Sequence, residues 1–440
     1  MNKNLKSFKK EIRISMAKYI FPSVMSLLLT AFYVIVDGIF IGIGAGEEGL
    51  AAINIGYPLV NVSNGFSLMF GIGGSTLISI YSRNKKIKNI FFTSIIFLCI
   101  SFYLLLLSAV FLSGDKLIYM IGSSESLLPQ VKMYLYPLTI GSIFLMLTTA
   151  MIPILRNINA PRYAFFSMSV GAITNIILDW IFILKFNMGI RGASIATVIG
   201  QIFSFSSIAI FFIIFNTGLH FNLKKMKLKI FLKIISVGFS SCLLETAIAL
   251  ILIIFNIKFM YYGGQVAVSA FCIVAYIYFI ARMLFTGVAQ GVQPLLSYNY
   301  GIKDYEKISI FFKETYKLNI FLSFAFFLLL NIFAKQIISI FGATGELLNL
   351  TIHGFRIYSL AVFFSCFNLL NISYLQSIDR ARSSIFISLI NSFIFLIIFS
   401  NLLPIFLGMD GIWFSFPLSD FMSLLTTYLL RKKLSFKIQQ

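Results

Sequence analysis

The amino-acid sequence predicts an all-α integral membrane protein with twelve transmembrane helices, arranged as two six-helix lobes related by a pseudo-twofold axis along the membrane normal. Three observations lead to this fold class: the composition, the recurrence of long apolar runs and an internal repeat. Hydrophobic residues make up 59% of the 440 residues and charged residues only 11%, whereas soluble domains contain about 25% charged residues. We therefore expect the chain to lie in a lipid bilayer.

Apolar runs long enough to cross a bilayer recur from one end of the chain to the other, since a membrane-spanning helix needs about 20 apolar residues. The first run is too long for a signal peptide and lacks a cleavage site with small residues, so we expect it to be an uncleaved span. No polar stretch is long enough to form a separate soluble domain. The predicted spans lie near residues 18–42, 51–80, 90–112, 130–155, 163–186, 192–215, 234–260, 267–298, 318–340, 350–377, 384–407 and 412–430.

Basic residues give the chain a net charge of +20, and most of them fall in alternate loops and at the two termini. The positive-inside rule therefore predicts that both termini are cytoplasmic. Because topology accounts for the basic excess, the charge does not indicate nucleic-acid binding. The basic clusters are Lys3 to Lys18, Arg83 to Lys88, Arg156 with Arg162, Lys224 to Lys233, Lys303 to Lys317, Arg380 with Arg382, and Arg431 to Lys437.

The second half of the chain repeats features of the first half at an offset of about 217–220 residues. For example, the pair Gly189 and Gly192 recurs as Gly408 and Gly411, each pair in a short loop before an apolar run. Each half holds six predicted spans, so both halves begin on the same side of the membrane and must be parallel repeats. The predicted lobes are residues 1–228 and residues 229–440.

Four acidic residues lie inside the apolar runs: Asp37, Asp179, Glu245 and Asp420. An ionisable side chain at the centre of a membrane helix costs about 2.5–3.5 kcal/mol on insertion scales, and it is tolerated mainly where it faces a bundle interior or a water-filled path. Asn175 stands four residues before Asp179 and so shares its helix face. Such buried polar groups are typical of a transporter.

Several stretches of the sequence resemble the multidrug and toxic compound extrusion (MATE) family, and the resemblance covers essentially the whole chain. It is greatest to the bacterial branch of the family, and the last of the matching stretches is the most specific. These stretches are Asp37-Gly-Ile-Phe-Ile-Gly42, Leu50-Ala-Ala-Ile-Asn-Ile-Gly-Tyr-Pro58, Thr174-Asn-Ile-Ile-Leu-Asp179, Gly189-Ile-Arg-Gly-Ala193 and Ala289-Gln-Gly-Val-Gln-Pro-Leu-Leu-Ser-Tyr-Asn-Tyr-Gly301.

The resemblance implies a V-shaped pair of lobes that exports amphipathic, often cationic, drugs or toxic compounds by alternating access. It also implies that an inward flow of Na⁺ or H⁺ drives the export, with no other cofactor. The expected location is the bacterial cytoplasmic membrane, and the expected partners are small-molecule substrates and lipid. We expect a monomer.

The cation site implied by the resemblance consists of Asp37, Asn175, Asp179 and Thr197. At a rise of about 1.5 Å per residue, all four fall in the outer half of their spans. Two carboxylates, an amide oxygen and a hydroxyl are hard ligands that suit Na⁺, and two close carboxylates can also share a proton. The sequence leaves both ions open, and the alternative is a structural cluster that ties the helices together.

A second group of candidate residues concerns the substrate or its coupling to the cation: Glu245, Arg282, Gln290 and Gln293. Glu245 either attracts cationic drugs or forms a buried pair with Arg282, since a buried arginine seeks a carboxylate. The two glutamines belong to the most specific of the matching stretches.

The C-lobe is not expected to hold a cation site. The acid that some family members carry in the tenth helix is absent, and Asn368 and Asn371 occupy that region. Asp420 is expected to be structural.

Other functions have less support from the sequence. A lipid-linked oligosaccharide flippase of the same superfamily would need several basic residues in the cleft, and Arg282 and Arg356 are the basic residues expected inside the membrane. A receptor or structural protein would leave the buried acids unexplained. His220 and His353 are the only histidines, so a zinc site or a histidine-based catalytic triad is not expected, and neither is an enzyme.

Overall fold

The computed structural model describes residues 2–222 and 226–435, which form helices and contain no β-strand. The α-helices are α1 (Asn2–Ile80), α2 (Lys85–Ser113), α3 (Asp115–Met120), α4 (Leu128–Asn157), α5 (Pro161–Asp179), α6 (Gly189–Ile214), α7 (Leu228–Gly301), α8 (Tyr305–Ile332), α9 (Ala334–Ser339), α10 (Gly345–Tyr358), α11 (Val362–Ser377), α12 (Ala381–Leu389), α13 (Phe395–Leu407) and α14 (Met409–Ser435). Two π-helical segments, Trp180–Lys185 and Ile390–Ile394, follow α5 and α12.

The two longest helices, α1 and α7, each contain two membrane spans joined by a sharp bend at a glycine. Gly46 has φ 62° and ψ −160°, and Gly264 has φ 62° and ψ −158°. These backbone angles are accessible to glycine because it lacks a Cβ. A bend of this kind replaces the loop that the sequence predicted between the first two spans of each half.

The twelve predicted spans are confirmed. Nine segments of the described residues are long and apolar enough to cross a membrane, and one of them contains the whole of α7. The part of α1 after Gly46, the part of α7 after Gly264, and α14 complete the twelve. In lipid, only a chain that satisfies its backbone hydrogen bonds internally is stable, which is why the spans are helical throughout.

The order of elements repeats between the halves. A long bent helix is followed by a long and a short helix, which are α2 and α3 in the first half and α8 and α9 in the second. The fifth span of each half contains a π-helical segment. We call α1–α6 the N-lobe and α7–α14 the C-lobe. We call one end of the helix bundle the terminal end; it contains the turns at residues 81–84, 158–160, 302–304 and 378–380. We call the opposite end the distal end; it contains the bends at Gly46 and Gly264.

Glycines allow α1 and α7 to approach each other closely near the terminal end. A Cβ on Gly238 would lie 1.8 Å from the carbonyl oxygen of Met69, and a Cβ on Gly73 would lie 2.2 Å from that of Ile234. The part of α1 before Gly46 and the part of α7 after Gly264 approach each other closely in the same way, at Gly291. Small residues let helix backbones touch, and such contacts drive helix association in membranes.

Polar and apolar contacts between the lobes also gather toward the terminal end. Gln293 Nε2 donates to Thr76 Oγ1 at 2.9 Å, and Ser297 Oγ donates to Asn157 Oδ1 at 3.3 Å. One buried apolar cluster joins Met69, Leu77 and their neighbours in the N-lobe to Ile234 and Val237 in the C-lobe.

The apolar clusters near the distal end each belong to one lobe. The cluster of Phe255, Phe259, Phe271 and Trp413 contains C-lobe residues alone. The cluster around Ala52, Ile118 and Val131 contains N-lobe residues alone. The lobes are therefore joined mainly at the terminal end, while each distal half has a core of its own.

We predict that Gly238→Ala lowers the thermal stability of the purified protein, because the added methyl group meets the backbone of Met69. Overpacking of this kind costs about 1–3 kcal/mol. Gly65→Ala is the matched control on the same helix contact, since a Cβ there would lie at an ordinary 3.4 Å from Cys242 Sγ. Thermal unfolding of both variants in detergent tests this, and equal midpoints would contradict the close packing.

Candidate functional site

A close contact between α5 and α6 brings two of the predicted cation-site residues together. A Cβ on Gly200 would lie 2.8 Å from the carbonyl oxygen of Gly171, so the two glycines let the helix backbones approach. On this face Asn175 Nδ2 donates to Thr197 Oγ1 at 3.4 Å. Asn175 is buried, with 3% of its surface exposed.

The distal part of the first span brings Asp37 to the same place. Ile41, one helical turn after Asp37, is fully buried against Ile183 of the π-helical segment and Ala193 of α6. Gly44 lies against Ile183 as well. This apolar contact holds the first span against α5 and α6, and it fixes the position of Asp37.

The carboxyl groups of Asp37 and Asp179 lie within hydrogen-bonding reach of each other. Asp179 has no exposed surface, while Asp37 is half-buried. Oδ1 of Asp37, both carboxylate oxygens of Asp179 and Oδ1 of Asn175 are buried and have no hydrogen-bond donor among the described residues. The structure therefore brings all four predicted residues into one cluster, which we call the N-lobe cluster.

Buried oxygens without a hydrogen-bond partner destabilise the folded state, because a polar group in a low-dielectric interior needs a partner. Two neighbouring carboxylates also repel each other unless a positive charge lies between them. A Na⁺ ion bound by these oxygens, or a proton shared by the two carboxyl groups, would meet both requirements. The donor set thus fits either ion.

Three tyrosines near the cluster were not among the site residues predicted from the sequence, although Tyr57 lies in one of the stretches that resemble the family. Tyr33 and Tyr134 are close enough to both Asp37 and Asp179 for electrostatic interaction, and Tyr57 is close to Tyr33. Tyr33 stands four residues before Asp37, and this spacing alone was a signal that the two share a helix face. Tyr134 on α4 had no such signal, because its proximity depends on helix packing.

Glu245 lies apart from this cluster, where the two lobes meet along the part of α7 that precedes Gly264. It is half-buried, and its Cβ lies beside Gly65 of α1. Arg282 is not among the ion pairs of the described residues; it donates from Nη2 to the carbonyl oxygen of Leu244 at 2.8 Å. The buried pair of Glu245 and Arg282, one of the two hypotheses from the sequence, is therefore not formed in this structure.

A polar network in the C-lobe centres on Asp420, which the sequence indicated only as a structural residue. Asn391 donates to Asp420 Oδ1 at 2.6 Å, and Asn368 donates to the backbone carbonyl of Asp420 at 2.9 Å. Ser365 donates to Asp420 Oδ2 and also hydrogen-bonds to Tyr278. In contrast to the N-lobe cluster, this carboxylate has several protein donors.

The C-lobe network borders a small cavity. Arg282, Asp420 and Asn391 line it, together with apolar side chains such as Phe416. Positive and negative groups of the protein thus face the same space, so the network carries its own countercharge.

Gln290 and Gln293 lie toward the terminal end, where the lobes are in contact. Gln290 accepts a hydrogen bond from Arg156 Nη1 at 2.6 Å, and Gln293 donates to Thr76. Both bonds join one lobe to the other. Arg156 was counted among the loop cations from the sequence, but it lies in the last turn of α4 with 2% of its surface exposed. The side chain of Arg356, by contrast, is exposed.

The family model MatE matches residues 22–181 and 238–402 of the chain. Among curated relatives, the multidrug export protein MepA of Staphylococcus saprophyticus is 21% identical over 435 residues, which cover 97% of this chain and 96% of that protein. The multidrug export protein MepA of Staphylococcus aureus is 24% identical over 304 residues, which cover 66% of this chain and 65% of the relative.

Solved structures with the same fold include a MATE family multidrug resistance transporter of the MOP superfamily in an outward-facing conformation. It has a TM-score of 0.90 at 20% identity, with 97% of this chain and 96% of that chain covered. A MOP superfamily transporter from Pyrococcus furiosus, described as having a binding pocket of reversed polarity, has a TM-score of 0.89 at 19% identity, with 96% and 95% covered.

We predict that Gly200→Ala weakens efflux without removing any oxygen of the N-lobe cluster. The added Cβ would lie 2.8 Å from the carbonyl oxygen of Gly171 and 3.1 Å from Asn175 Cβ, so it pushes Asn175 away from Thr197. Gly38→Ala is the control, because a Cβ at Gly38, next to Asp37, meets nothing within 4 Å. Efflux of a fluorescent dye at matched expression measures both, and full activity of Gly200→Ala would contradict this account.

Proposed function

Because the chain belongs to the MatE family, whose members are multidrug transporters and not enzymes, we propose that it exports amphipathic cations in exchange for inward-moving Na⁺ or H⁺. The observation that carries the proposal is the N-lobe cluster. Its two carboxyl groups lie beside each other, and Oδ1 of Asp37 and both carboxylate oxygens of Asp179 are buried without a hydrogen-bond partner among the side chains that the structure describes. A site of this composition takes up one positive charge and releases it when its surroundings change.

The N-lobe cluster can hold the coupling ion in two ways. Asp37, Asn175 and Asp179 offer bare oxygens, and Thr197 offers a hydroxyl, so together they supply a set of hard ligands for Na⁺. Alternatively, one proton bridges Asp37 and Asp179 and removes their mutual repulsion. In both cases the charge of the cluster changes when the ion leaves, and this change is what couples the ion to a movement of the helices.

Alternating access is supported by the distribution of contacts between the lobes. Glycine contacts and hydrogen bonds join the lobes toward the terminal end, whereas the distal clusters are confined to single lobes. We infer that the structure represents a state closed at the terminal end, which we assign to the cytoplasm from the positive-inside rule. Gln290 and Gln293 then contribute to coupling through the contacts that must break when this end opens.

Glu245 is the residue that we assign to cationic substrates. It is half-buried between the lobes and is not ion-paired with Arg282. A carboxylate in this position favours the entry of a cation into the cleft. Arg282 donates to the carbonyl oxygen of Leu244 and lines a cavity together with Asp420. It is close enough to Glu245 for electrostatic interaction, but it forms no ion pair with it. This arrangement favours export of cations over a flippase for anionic lipid-linked sugars.

The remaining parts of the proposal concern surroundings and partners. The protein acts as a monomer in the bacterial cytoplasmic membrane, with both termini in the cytoplasm. Its partners are small-molecule drugs and lipid, and nucleic acid is not among them.

We predict that Asp37→Asn and Asp179→Asn each abolish cation-driven export, because one negative charge of the N-lobe cluster is lost. Thr197→Ala should be milder, since it removes one neutral ligand. Glu125→Gln is the control, because Glu125 is an acid exposed at the distal end. Efflux from proteoliposomes is measured with an imposed Na⁺ gradient, with an imposed proton gradient and with neither.

The response of the unmutated protein to the two gradients identifies the coupling ion. Gradient-driven efflux by both aspartate variants would refute the assignment of the site.

We predict that Glu245→Gln folds normally and reduces efflux of cationic substrates at least about tenfold more than efflux of neutral ones, because a desolvated charge pair is lost. Arg282→Gln should not restore cationic export in the double variant, since the two residues are not paired. Efflux of matched cationic and neutral dyes, with thermal stability as the control for folding, tests this. Equal losses for both classes of dye would contradict the role of Glu245.

A further inference from the structure

Arg156 is a charged side chain buried in the contact between the two lobes. It lies in the last turn of α4, and 2% of its surface is exposed. Its Nη1 donates to Gln290 Oε1 of the C-lobe at 2.6 Å. Taken alone, this charge-assisted hydrogen bond would act as a latch that holds the lobes together at the terminal end.

The rest of the guanidinium group does not fit the description of a latch. Nε and Nη2 of Arg156 are buried, with less than 1 Å² exposed for each atom, and neither has a hydrogen-bond partner among the atoms that the structure describes. The ion pairs formed by the described part of the chain do not include Arg156. Atoms with so little exposed surface have no space beside them for a water molecule.

The balance of interactions at Arg156 therefore opposes closure of the lobes. One hydrogen bond to a neutral amide favours closure, but the closed state removes a full positive charge and two bare donors from water. Loss of hydration for a charge without a countercharge outweighs a single hydrogen bond. When the lobes separate at the terminal end, water reaches the guanidinium group and the cost disappears.

We propose that Arg156 destabilises the state closed at the terminal end and thereby promotes reopening of that end during transport. This inference rests on the alternating access proposed above. Contacts such as Gln293 with Thr76, and the glycine contact of Gly73 with α7, favour the closed state. Arg156 offsets them and keeps the two states close in energy, which an alternating transporter needs because a ligand shifts an equilibrium only by its differential affinity.

Two substitutions separate this proposal from the latch, because the proposal predicts opposite signs for them. Arg156→Met replaces the charge by an apolar side chain of similar length, so the ratio of closed to open molecules should rise about tenfold or more. Gln290→Met removes the single partner of Arg156 and leaves the charge buried, so the ratio should fall about tenfold. In the double variant the ratio should return to the level of Arg156→Met. A latch would instead lower the ratio in both single variants.

The ratio can be measured in the full-length protein by the distance between two spin labels at the terminal end. Lys86 and Tyr305 are exposed and lie at the beginning of α2 and α8, which are equivalent helices of the two lobes. Cysteines are introduced at these positions in a background without the native cysteines. Pulsed electron–electron resonance in lipid nanodiscs then gives the populations of short and long distances. Arg162→Met is the matched control, because Arg162 is an exposed arginine at the same end of the bundle.

The proposal is overturned if Arg156→Met lowers the closed fraction, or if neither variant shifts it relative to Arg162→Met. The proposed function fails in a different way, namely if the unmutated protein shows no efflux under either cation gradient. As a second readout, Arg156→Met should slow dye efflux while the purified protein becomes more resistant to thermal unfolding. A variant that merely misfolds would lose both properties, and that result would also contradict the proposal.

Discussion

The close approach of α1 and α7 near the terminal end is the constraint on which the rest of the structure depends. Lipid offers no hydrophobic driving force between helices, so the lobes are joined where small residues allow backbones to touch. Gly73 and Gly238 allow this contact between the part of α1 after its bend and the part of α7 before its bend. Gly291 allows it between the other two parts. Because each long helix bends at a distal glycine, this one contact orients two spans of each lobe and leaves the distal halves to pack separately.

The buried carboxylates of the two lobes differ in the hydrogen-bond donors that surround them. The carboxylate of Asp420 in the C-lobe accepts hydrogen bonds from Asn391, Asn368 and Ser365, and such a satisfied network rigidifies its surroundings. Asp179 in the N-lobe has the same degree of burial but no protein donor among the described residues. A group that the protein itself satisfies has no need of an ion, whereas a group left bare depends on one. This difference supports the proposal that the N-lobe cluster binds the coupling ion and that the C-lobe network is structural.

Uncompensated charges of opposite sign lie at different depths of the bundle. The N-lobe cluster is acidic and lies toward the distal end, while Arg156 is basic and lies in the lobe contact toward the terminal end. Each lacks a countercharge among the described residues in this state. We propose that the arrival of a cation stabilises the first and that the entry of water between the lobes stabilises the second. A transporter that cycles between two states needs unfavourable interactions of this kind in each state, because they keep the two states close in free energy. Without them, one state would be too stable to convert into the other.

The sequence by itself determined the helical spans and their parallel repeat, because both depend on local periodicity and on the exclusion of unpaired backbone from lipid, which can be read along the chain. The residues of the N-lobe cluster were predicted from the resemblance of the sequence to a family. Tertiary structure alone decided which helix faces meet. Arg156 was grouped with loop cations but is buried against Gln290, 134 residues away, and Asp420 became the centre of a network. The expected partner of Glu245, Arg282, bonds to Leu244 instead. The energy of a buried polar group is set by neighbours that are distant in sequence, so these outcomes required the packed structure.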